Sequence, residues 1–492
     1  MHIGCIYSVS NFMSINKPLD TQESIPFGIA FIATVLKKHK YDPHILVFTP
    51  QMNIERIVEE FIGKYHPSLF CLTATSSQFH LMVRTAAAIK KIDNKIFVLL
   101  GGVHASLNPE ETIRYPDFDA ICIGEGENAV IKLAQYLEMQ KKPVSIPNLW
   151  IKDTETGIIE RNAPDDFIQD LDRLPFIDRS LWYNWIDDRD RRPSVLVGRG
   201  CPNKCSYCSN HALSRLATGK YVRFRTPENV IKEISEMVED NPKIRSIYLE
   251  VETLSLNFQY TDSLLKSLQK FNENRSIPIE FRANVSPTKK IIENENFFLQ
   301  LKKANFSSIV IGLESGSERV RRDILRRPPY TNEDIITFCA MAKKYQINVM
   351  VNALLGIPRE KVSDLLETVD CIRKCDPPEL QLSIFEPYPG TDLFSMCIEQ
   401  GFFDPRTLDI SKPSRHTAFI DLPGLSKNRI QMEYFLFNFR RWGFRALGKL
   451  GPRDTHMIVW LSEKLFGRFS PYSIFREKWF KKIERMQLAD FE

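Results

Sequence analysis

Short apolar runs alternate with amphipathic stretches along the first 140 residues. The apolar runs predict strands at residues 2–8, 44–48, 69–73, 96–100 and 119–123. The amphipathic stretches predict helices at residues 27–39, 54–64, 80–91 and 128–139. Strands that alternate with helices in this way form a parallel sheet with helices on both faces. We therefore expect a doubly wound α/β domain over residues 1–140, with ligands at the carboxyl ends of its strands.

A second alternating region extends from residue 193 to residue 400. Its predicted strands are residues 194–198, 244–250, 277–283, 307–311, 348–355 and 380–385. Its predicted helices are residues 227–240, 287–303, 332–345 and 362–374. Strands and helices in this order predict a partial (β/α)6 barrel, and active sites in such barrels lie at the carboxyl ends of the strands.

Two further regions complete the predicted architecture. Residues 141–192 contain several prolines and are predicted to be a linker, with a hairpin at residues 153–157. Residues 401–492 are predicted to form a mainly helical C-terminal region. Within it we expect a strand at residues 416–421 and an aromatic-rich helix at residues 426–450.

Composition and charge narrow the class of protein. The 492 residues are 43% hydrophobic and 26% charged, which is ordinary for a globular protein. The first residues lack the pattern of a signal peptide, and no apolar run is long enough for a transmembrane helix. A cytoplasmic location is therefore expected. Basic residues are in excess after residue 440, which suggests peripheral membrane contact there, whereas nucleic-acid binding is not expected.

Three cysteines lie close together at the start of the second region. Cys201, Cys205 and Cys208 are spaced C-x₃-C-x₂-C within residues 198–210, directly after a predicted strand. Three such thiolates can bind three irons of a 4Fe–4S cluster, which ordinarily takes four cysteines, so one iron stays open. The alternative is structural zinc, for which His211 is the nearby fourth ligand.

The triplet, with Tyr207 before its third cysteine, resembles the signature of the radical S-adenosylmethionine (SAM) enzymes. The resemblance implies that SAM binds the open iron and is split to a 5′-deoxyadenosyl radical, with Tyr207 near the adenine. It also implies an external electron donor of the flavodoxin or ferredoxin type.

Four later motifs extend this resemblance in the expected order. Arg282 in EFRANV resembles the arginine that faces the SAM carboxylate. Glu314 in IGLESGS resembles the glutamate that contacts the amino acid or ribose side of SAM. Gly356 in LLGIPRE resembles the turn near the adenine. The stretch PYPGT at residues 387–391 resembles the end of the family's core.

The end of the second predicted strand departs from the family pattern. Relatives carry two adjacent acids there, but this chain has Val251 followed by Glu252. The resemblance therefore assigns only Glu252 to the SAM amine, and Glu250 is expected to face outward. Arg326 and Arg327 are expected on the surface or facing a phosphate.

Small residues follow three strands of the first domain. The block resembles the Rossmann-like cobalamin-binding domain that precedes many radical SAM cores, in which such residues line the cofactor's slot. The implied cobalamin-binding residues are Thr73, Ser76, Ser77, Gly101, Gly102, Gly124 and Glu125. In mutases and methionine synthase, the cobalamin domain carries a D-x-H-x-x-G motif after the first strand, and its histidine ligates cobalt. The corresponding loop here, residues 9–24, lacks this motif, so no histidine of this loop is expected to ligate cobalt. A domain that keeps the fold without cofactor is the alternative, and His104 is expected to hydrogen-bond locally.

Together these resemblances imply a radical SAM enzyme that performs cobalamin-dependent methylation of an unactivated carbon in a small-molecule substrate. Two alternatives stay open. The same two-domain class includes cyclases and oxidative rearrangement enzymes, which transfer no methyl group. A non-catalytic iron–sulfur sensor or binding module is the second alternative.

Overall fold

The structure is a computed structural model that describes residues 1–9, 12, 14–153, 155–404 and 414–447. The chain divides into two compact units, Met1–Tyr434 and Phe435–Glu492. The first unit contains both predicted sheets. The second unit is described only up to Leu447.

The elements follow the predicted order closely. The strands are β1 His2–Ser8, β2 Leu19–Thr21, β3 Asp42–Phe48, β4 Leu69–Thr73, β5 Phe97–Gly101, β6 Ala120–Cys122, β7 Leu149–Lys152, β8 Ile159–Arg161, β9 Ile186–Asp188, β10 Ser194–Leu196, β11 Gly198–Arg199, β12 Arg223–Phe224, β13 Ser246–Glu250, β14 Glu280–Asn284, β15 Phe306–Glu314, β16 Asn348–Leu355 and β17 Glu379–Ile384. The helices are α1 Phe27–Lys38, α2 Ile54–Tyr65, α3 Phe79–Ile92, α4 Val103–Leu107, α5 Pro109–Thr112, α6 Glu127–Glu138, α7 Ser209–Leu213, α8 Pro227–Asp240, α9 Phe258–Glu273, α10 Lys289–Ile292, α11 Glu295–Lys303, α12 Asn332–Lys344, α13 Val362–Cys375, α14 Asp392–Glu399 and α15 Lys427–Leu447.

The first sheet has seven strands in the order β3-β1-β4-β5-β6-β7-β8. The first five are parallel, as predicted, and β7–β8 is an antiparallel hairpin. Both faces are buried, because Ile3 and Cys5 of β1 belong to one hydrophobic core and Ile6 belongs to another. Burial on both faces is the reason these strands appear as continuous apolar runs rather than alternating patterns.

Residues 141–192 do more than link the two sheets. The hairpin around residue 155 extends the edge of the first sheet. Further on, Ile186 of β9 pairs with Leu19 of β2 in a small parallel sheet of two strands. Trp182 is fully buried in a core of the first domain, and the Trp185 indole donates to the Ile45 carbonyl at 2.9 Å. This segment is therefore packed structure that ties β10 to the first domain.

The second sheet has six parallel strands in the order β10-β13-β14-β15-β16-β17. No pairing joins β10 to β17 among the described residues, so the partial barrel is open, as predicted. Helix α9 was not predicted, although Leu264, Leu265 and Leu268 give it a helical apolar face. The single helix predicted at residues 287–303 is wrong, because Asn294 leaves the helical conformation between α10 and α11.

Of the two elements predicted in the C-terminal region, the helix is confirmed and the strand is wrong. Helix α15 confirms the predicted aromatic-rich helix as far as Leu447. The strand predicted at residues 416–421 is wrong, because a short 3₁₀ turn, Ser414–His416, is followed by irregular backbone. Among the described helices, none combines the length and apolar character needed to span a membrane. The basic stretch from residue 448 onward lies outside the described residues.

A buried ion-pair triad fixes the entry to the barrel. Glu233 of α8 accepts from Arg179 at 3.0 Å and from Arg225 at 2.5 Å, and all three side chains are buried. Each arginine also donates at 2.7 Å to a carbonyl of β10, from Ser194 or Leu196. The triad therefore holds the strand that leads into the cysteine loop.

We predict that Glu233→Gln lowers the free energy of unfolding of the first unit by about 3–5 kcal/mol. The reason is that two buried guanidinium groups lose their counter-charge. Chemical denaturation at neutral pH measures the change. The matched control is Glu236→Gln on the same helix, whose exposed carboxylate pairs with Lys232 at 3.9 Å and should change stability by less than about 1 kcal/mol. Equal effects of the two substitutions would contradict the role of the triad.

Candidate active site

The cysteine loop begins where β11 pairs with β12. Gly200 has φ +90, and a Cβ there would collide with the Tyr221 carbonyl oxygen, so the turn requires glycine. Ser206 holds the loop from the other side: its N–H donates to the Leu325 carbonyl at 3.0 Å and its carbonyl accepts from Leu393 at 2.9 Å. The loop is therefore held by the β11–β12 pair on one side and by the backbone at Leu325 and Leu393 on the other.

The spacing of the three thiols bears on whether they bind structural zinc or a 4Fe–4S cluster. Zinc with bonds of about 2.3 Å to sulfur needs sulfur atoms roughly 3.8 Å apart. Within the described part of the chain, Cys201, Cys205 and Cys208 do not form a group whose ligand atoms all lie within 4.8 Å of one another. At least one pair of these sulfur atoms is therefore farther apart than bonding to a single zinc ion requires, whereas in an iron–sulfur cluster each thiolate binds a different iron.

The proposed fourth zinc ligand is also occupied elsewhere. His211 contacts the Arg215 guanidinium and lies 3.8 Å from Asp392. Burial and the positive charge of Arg215 lower the pKa of His211. The His211 side chain therefore belongs to a surface charge cluster beside the loop. Because its contacts are with these charged groups, it does not serve as a fourth zinc ligand here, and this favours the iron–sulfur cluster.

Behind the loop, Arg327 of the barrel contacts Cys205 and Tyr207. Arg327 donates to the Tyr207 hydroxyl at 3.3 Å and lies 3.9 Å from the Cys205 sulfur. Its other amino group donates to the Gly312 carbonyl. A Cβ on Gly312 would collide with the Glu314 carboxylate, so the glycine lets Arg327 and Glu314 approach the strand.

Glu314 ends β15 in a left-handed conformation with φ +63, which is uncommon for a residue with a side chain. Its side chain is buried, and burial raises the pKa of Glu314, while Arg327 and the Tyr207 hydroxyl oppose the rise. The structure thus brings the predicted residues Tyr207 and Glu314 together. Sequence reasoning missed Arg327, which is half-buried here, whereas Arg326 is exposed and pairs with Asp392 at 2.7 Å.

A cavity of about 470 Å³ lies between the carboxyl ends of the two sheets. From the first domain it is lined by five of the predicted cobalamin residues, which are Thr73, Gly101, Gly102, Gly124 and Glu125. From the barrel it is lined by strand ends and by the residues that flank the cysteine loop. Gly102 has φ +92, and a Cβ there would lie 2.7 Å from both the Ala74 carbonyl and the Thr73 hydroxyl.

Two predicted residues of the first domain lie away from this cavity. Ser76 contacts His104 Nδ1 at 3.1 Å, and Ser77 contacts the Thr75 hydroxyl at 3.2 Å. Neither serine is among the lining residues. His104 is buried against Phe79, and burial lowers the pKa of His104 to about 4, so it is neutral at pH 7. It hydrogen-bonds locally, as expected.

A cluster of buried ion pairs joins the two domains beside the cavity. Glu125 accepts from Arg199 at 3.0 Å and from Arg223 at 2.9 Å, and Glu127 accepts from Arg199 at 2.6 Å. Glu125 also accepts from the Ile168 N–H at 2.7 Å. We call these four charged residues the interdomain clamp. Because Arg199 lies two residues before Cys201, the clamp positions the cysteine loop against the first domain.

The acids at the end of β13 also face this cavity. Both Glu250 and Glu252 line it, so the expectation that Glu250 faces outward is wrong. Glu250 shares the inner face of the barrel with Tyr248, whereas Ile247 and Leu249 are buried in the core behind the strand. Burial, followed by repulsion from Glu252 and Glu23, raises the pKa of Glu250 to about 7.

Family models match both halves of this site. The model described as Radical SAM superfamily matches residues 195–372, and the model described as B12 binding domain matches residues 21–134. The chain belongs to the B12-binding-domain-containing radical SAM proteins. The Radical SAM match covers the cysteine triplet and β10 to β16, and the B12-binding match covers β3 to β6.

Two curated proteins and one solved structure illustrate what this chain is similar to. An uncharacterized methyltransferase of Pyrococcus horikoshii is 27% identical over 76% of this chain and 78% of its own. An anaerobic magnesium-protoporphyrin IX monomethyl ester cyclase of Cereibacter sphaeroides is 23% identical over 95% of this chain and 78% of its own. The structure of the radical SAM methyltransferase TsrM of Kitasatospora setae, with cobalamin and a [4Fe-4S] cluster bound, has a TM-score of 0.67 at 17% identity, covering 89% of this chain and 90% of that one.

Of the five predicted SAM residues, Glu252 is the one that lines the cavity in the described part of the chain. Tyr207 and Glu314 lie together behind the cysteine loop, and Arg282 and Gly356 lie elsewhere. Arg282 is the third residue of β14 and pairs with Glu379 of β17 at 3.5 Å, inside the barrel and short of the strand end. Gly356 has φ +76 and is covered by Ile430 of α15, while its N–H donates to Glu360 at 2.7 Å. Neither residue lines the cavity formed by the described part of the chain.

We predict that Glu250→Gln makes the folding stability of the cofactor-free protein less sensitive to alkaline pH. The folded-state pKa of about 7 exceeds the usual value of 4.5, so the unfolded state loses its proton first and the stability of the wild type falls as pH rises between these values. The variant should gain up to about 3 kcal/mol relative to wild type between pH 4.5 and pH 8. Chemical denaturation of wild type and variant at pH 4.5 and pH 8 measures the free energy of unfolding. If this free energy changes equally with pH in both proteins, the prediction is wrong.

Proposed function

We propose that this chain is a radical SAM enzyme that cleaves SAM at a 4Fe–4S cluster and carries out cobalamin-dependent methylation of an unactivated carbon in a small-molecule substrate. The observation that carries the proposal is the shared cavity. The strand ends of the B12-binding domain and the residues flanking the cysteine loop line one space of about 470 Å³. Reacting groups held in one site gain the large rate advantage of proximity.

The cysteine loop supplies the ligands for the cluster, which are Cys201, Cys205 and Cys208. Burial raises the pKa of the Cys208 thiol to about 11, so the positive charge of the bound irons is needed to keep it a thiolate. The cluster, when bound, supplies one electron that splits SAM to a 5′-deoxyadenosyl radical.

The residues around Cys205 suit the amino acid end of SAM. Glu314 and Glu252 provide carboxylates for the amine or the ribose hydroxyls, and Arg327 provides a fixed cation for the carboxylate. Charge-assisted contacts of this kind are strong when they are buried. Arg282 and Gly356 stay predictions as SAM-binding residues, and the ion pair with Glu379 gives Arg282 a second, structural explanation.

The first domain offers a cradle for cobalamin. Gly102 and Gly124, both with positive φ, open the floor of the cavity, and Thr73 and Gly101 border it. The ion pairs of Glu125 make it a residue that positions the domain against the barrel. Ser76 and Ser77 stay predictions as cobalamin contacts.

The second candidate function is cyclisation or oxidative rearrangement without methyl transfer. It is supported by similarity to an anaerobic cyclase along 95% of this chain. Both candidates need an electron donor of the flavodoxin or ferredoxin type. The exposed surface beside Cys201 carries Lys204, Arg215 and Lys220, which suits an acidic donor. A cytoplasmic location and peripheral membrane contact stay predictions.

The first experiment asks whether SAM is cleaved at the triplet. Anaerobically reconstituted wild type should release 5′-deoxyadenosine from SAM when reduced, and Cys205→Ala should lose this activity by more than about a thousandfold, because the cluster loses a ligand. Cys397→Ala, which removes a buried thiol outside the triplet, is the matched control and should keep full activity. Cleavage retained in Cys205→Ala would refute the cluster assignment. No cleavage by the wild type would favour a non-catalytic iron–sulfur protein.

The second experiment separates SAM cleavage from methyl transfer. With methyl-labelled SAM and cobalamin, Glu125→Gln should reduce transfer of label by about 100-fold while SAM cleavage falls much less, because the clamp aligns the two domains. Glu110→Gln, which removes an exposed pair with Arg161, should change neither rate. Equal loss of both activities would contradict the role of the clamp. SAM cleavage by wild type without labelled product would favour the cyclase reading.

A further inference from the structure

A second convergence of metal-binding side chains lies at the other end of the first sheet. His2 begins β1, and Asp42 and His44 lie at the start of β3, which is the edge strand paired with β1. The cavity described above lies at the carboxyl ends of these parallel strands, whereas this cluster lies at their amino ends. It therefore belongs to neither the cluster loop nor the cobalamin cradle.

Three donor atoms face one another at this point. His2 Nδ1 lies 2.9 Å from Asp42 Oδ2 and 3.1 Å from His44 Nε2, and His44 Nε2 lies 3.3 Å from the same carboxylate oxygen. Within the described residues this is the one group of three such side chains whose ligand atoms all lie within 4.8 Å of one another. Ligands of a tetrahedral zinc ion with bonds of 2.0–2.1 Å are separated by about 3.3 Å, which matches this triangle.

Hydrogen bonding alone does not account for all three contacts. If both imidazole nitrogens carry protons, both can donate to the one carboxylate oxygen, but the 3.1 Å contact between the two nitrogens then sets donor against donor. If one nitrogen is unprotonated, its lone pair faces the carboxylate oxygen. A cation at the centre of the triangle satisfies all three lone pairs at once, because imidazole nitrogen and carboxylate oxygen are both common zinc ligands.

The surroundings orient the ligands and leave room for solvent. The His44 ring packs on Tyr65 with centroids 4.0 Å apart and meets the edge of the Phe61 ring at 5.9 Å. The side chains of His2, Asp42 and His44 are 45%, 58% and 22% exposed. Water can therefore complete the coordination, and an ion can reach the site directly.

We propose that His2, Asp42 and His44 bind a divalent transition metal ion, with zinc as the best fit, and that the ion fastens the edge strand β3 to β1. The ligands come from two neighbouring strands whose sequence positions are far apart, so the ion closes a long loop of chain. The edge strand bounds the sheet that carries the cobalamin cradle, and the ion would stabilise this sheet whether or not cobalamin binds.

The test uses full-length protein with its iron–sulfur cluster in place, so that the cysteine thiolates do not compete for the probe. Zinc alone is titrated by calorimetry, and cobalt(II) is used as an optical probe of tetrahedral coordination. We expect one zinc equivalent with a submicromolar dissociation constant, and a rise in the thermal midpoint of the wild type when zinc is added. Asp42→Asn and, independently, His44→Ala should weaken zinc binding more than about tenfold. Each should also abolish the thermal shift.

His39→Ala is the matched control, because His39 is an exposed histidine of the same domain, and among the described residues its side chain hydrogen-bonds to the Val35 carbonyl. It should bind zinc as the wild type does. Asp42→Asn keeps the shape of an exposed side chain, so its folding should match the wild type even if His44→Ala loses packing on Tyr65. Wild-type binding only at millimolar zinc, or equal binding by wild type and Asp42→Asn, would overturn the proposal.

Discussion

The interdomain clamp is the interaction on which the candidate site depends. Two cofactor-binding halves can act together only if their distance and orientation are fixed. Glu125 and Glu127 of the first domain meet Arg199 and Arg223 of the barrel in a largely buried setting. Although burial raises it, hydrogen bonds and charges from the two arginines hold the pKa of Glu125 below its usual value, so it stays ionised at neutral pH. Buried charges are costly when unpaired, so this contact tolerates little displacement of either domain.

The clamp also explains how a short sequence motif acquires a precise position. Arg199 stands directly before the loop that carries Cys201, and the glycine at position 200 makes the turn between them. A pair formed with the first domain therefore sets the direction of the loop. The back of the loop is fixed independently by Arg327 and by Ser206. The thiols are thus held from both domains before any metal is bound, which is the kind of preorganisation that metal and catalytic sites need.

Much of this arrangement was predictable from sequence, because its signals are local. Apolar runs that alternate with amphipathic stretches predict both sheets, and the spacing of the cysteines predicts the cluster loop. The residues that depend on long-range contacts were missed. Arg327 reaches Cys205 across 122 positions of sequence, and nothing beside it in the chain marks it as different from Arg326. The outward orientation predicted for Glu250 is wrong because neither face of β13 is turned to bulk solvent. One face packs in the core and the other lines the barrel interior, where Glu250 lies. Arg282 matched a motif, but the register of β14 places it below the strand end.

The shared cavity is the central feature of the candidate site, and locating the metals around it is the most direct test. Crystals of the anaerobic holoenzyme would be measured by anomalous diffraction at the iron, cobalt and zinc edges. We predict an iron cluster bound to Cys201, Cys205 and Cys208, and one cobalt bordered by Gly102 and Gly124 in the same cavity. A single zinc peak at the cysteine triplet, or cobalt bound away from this cavity, would contradict the account.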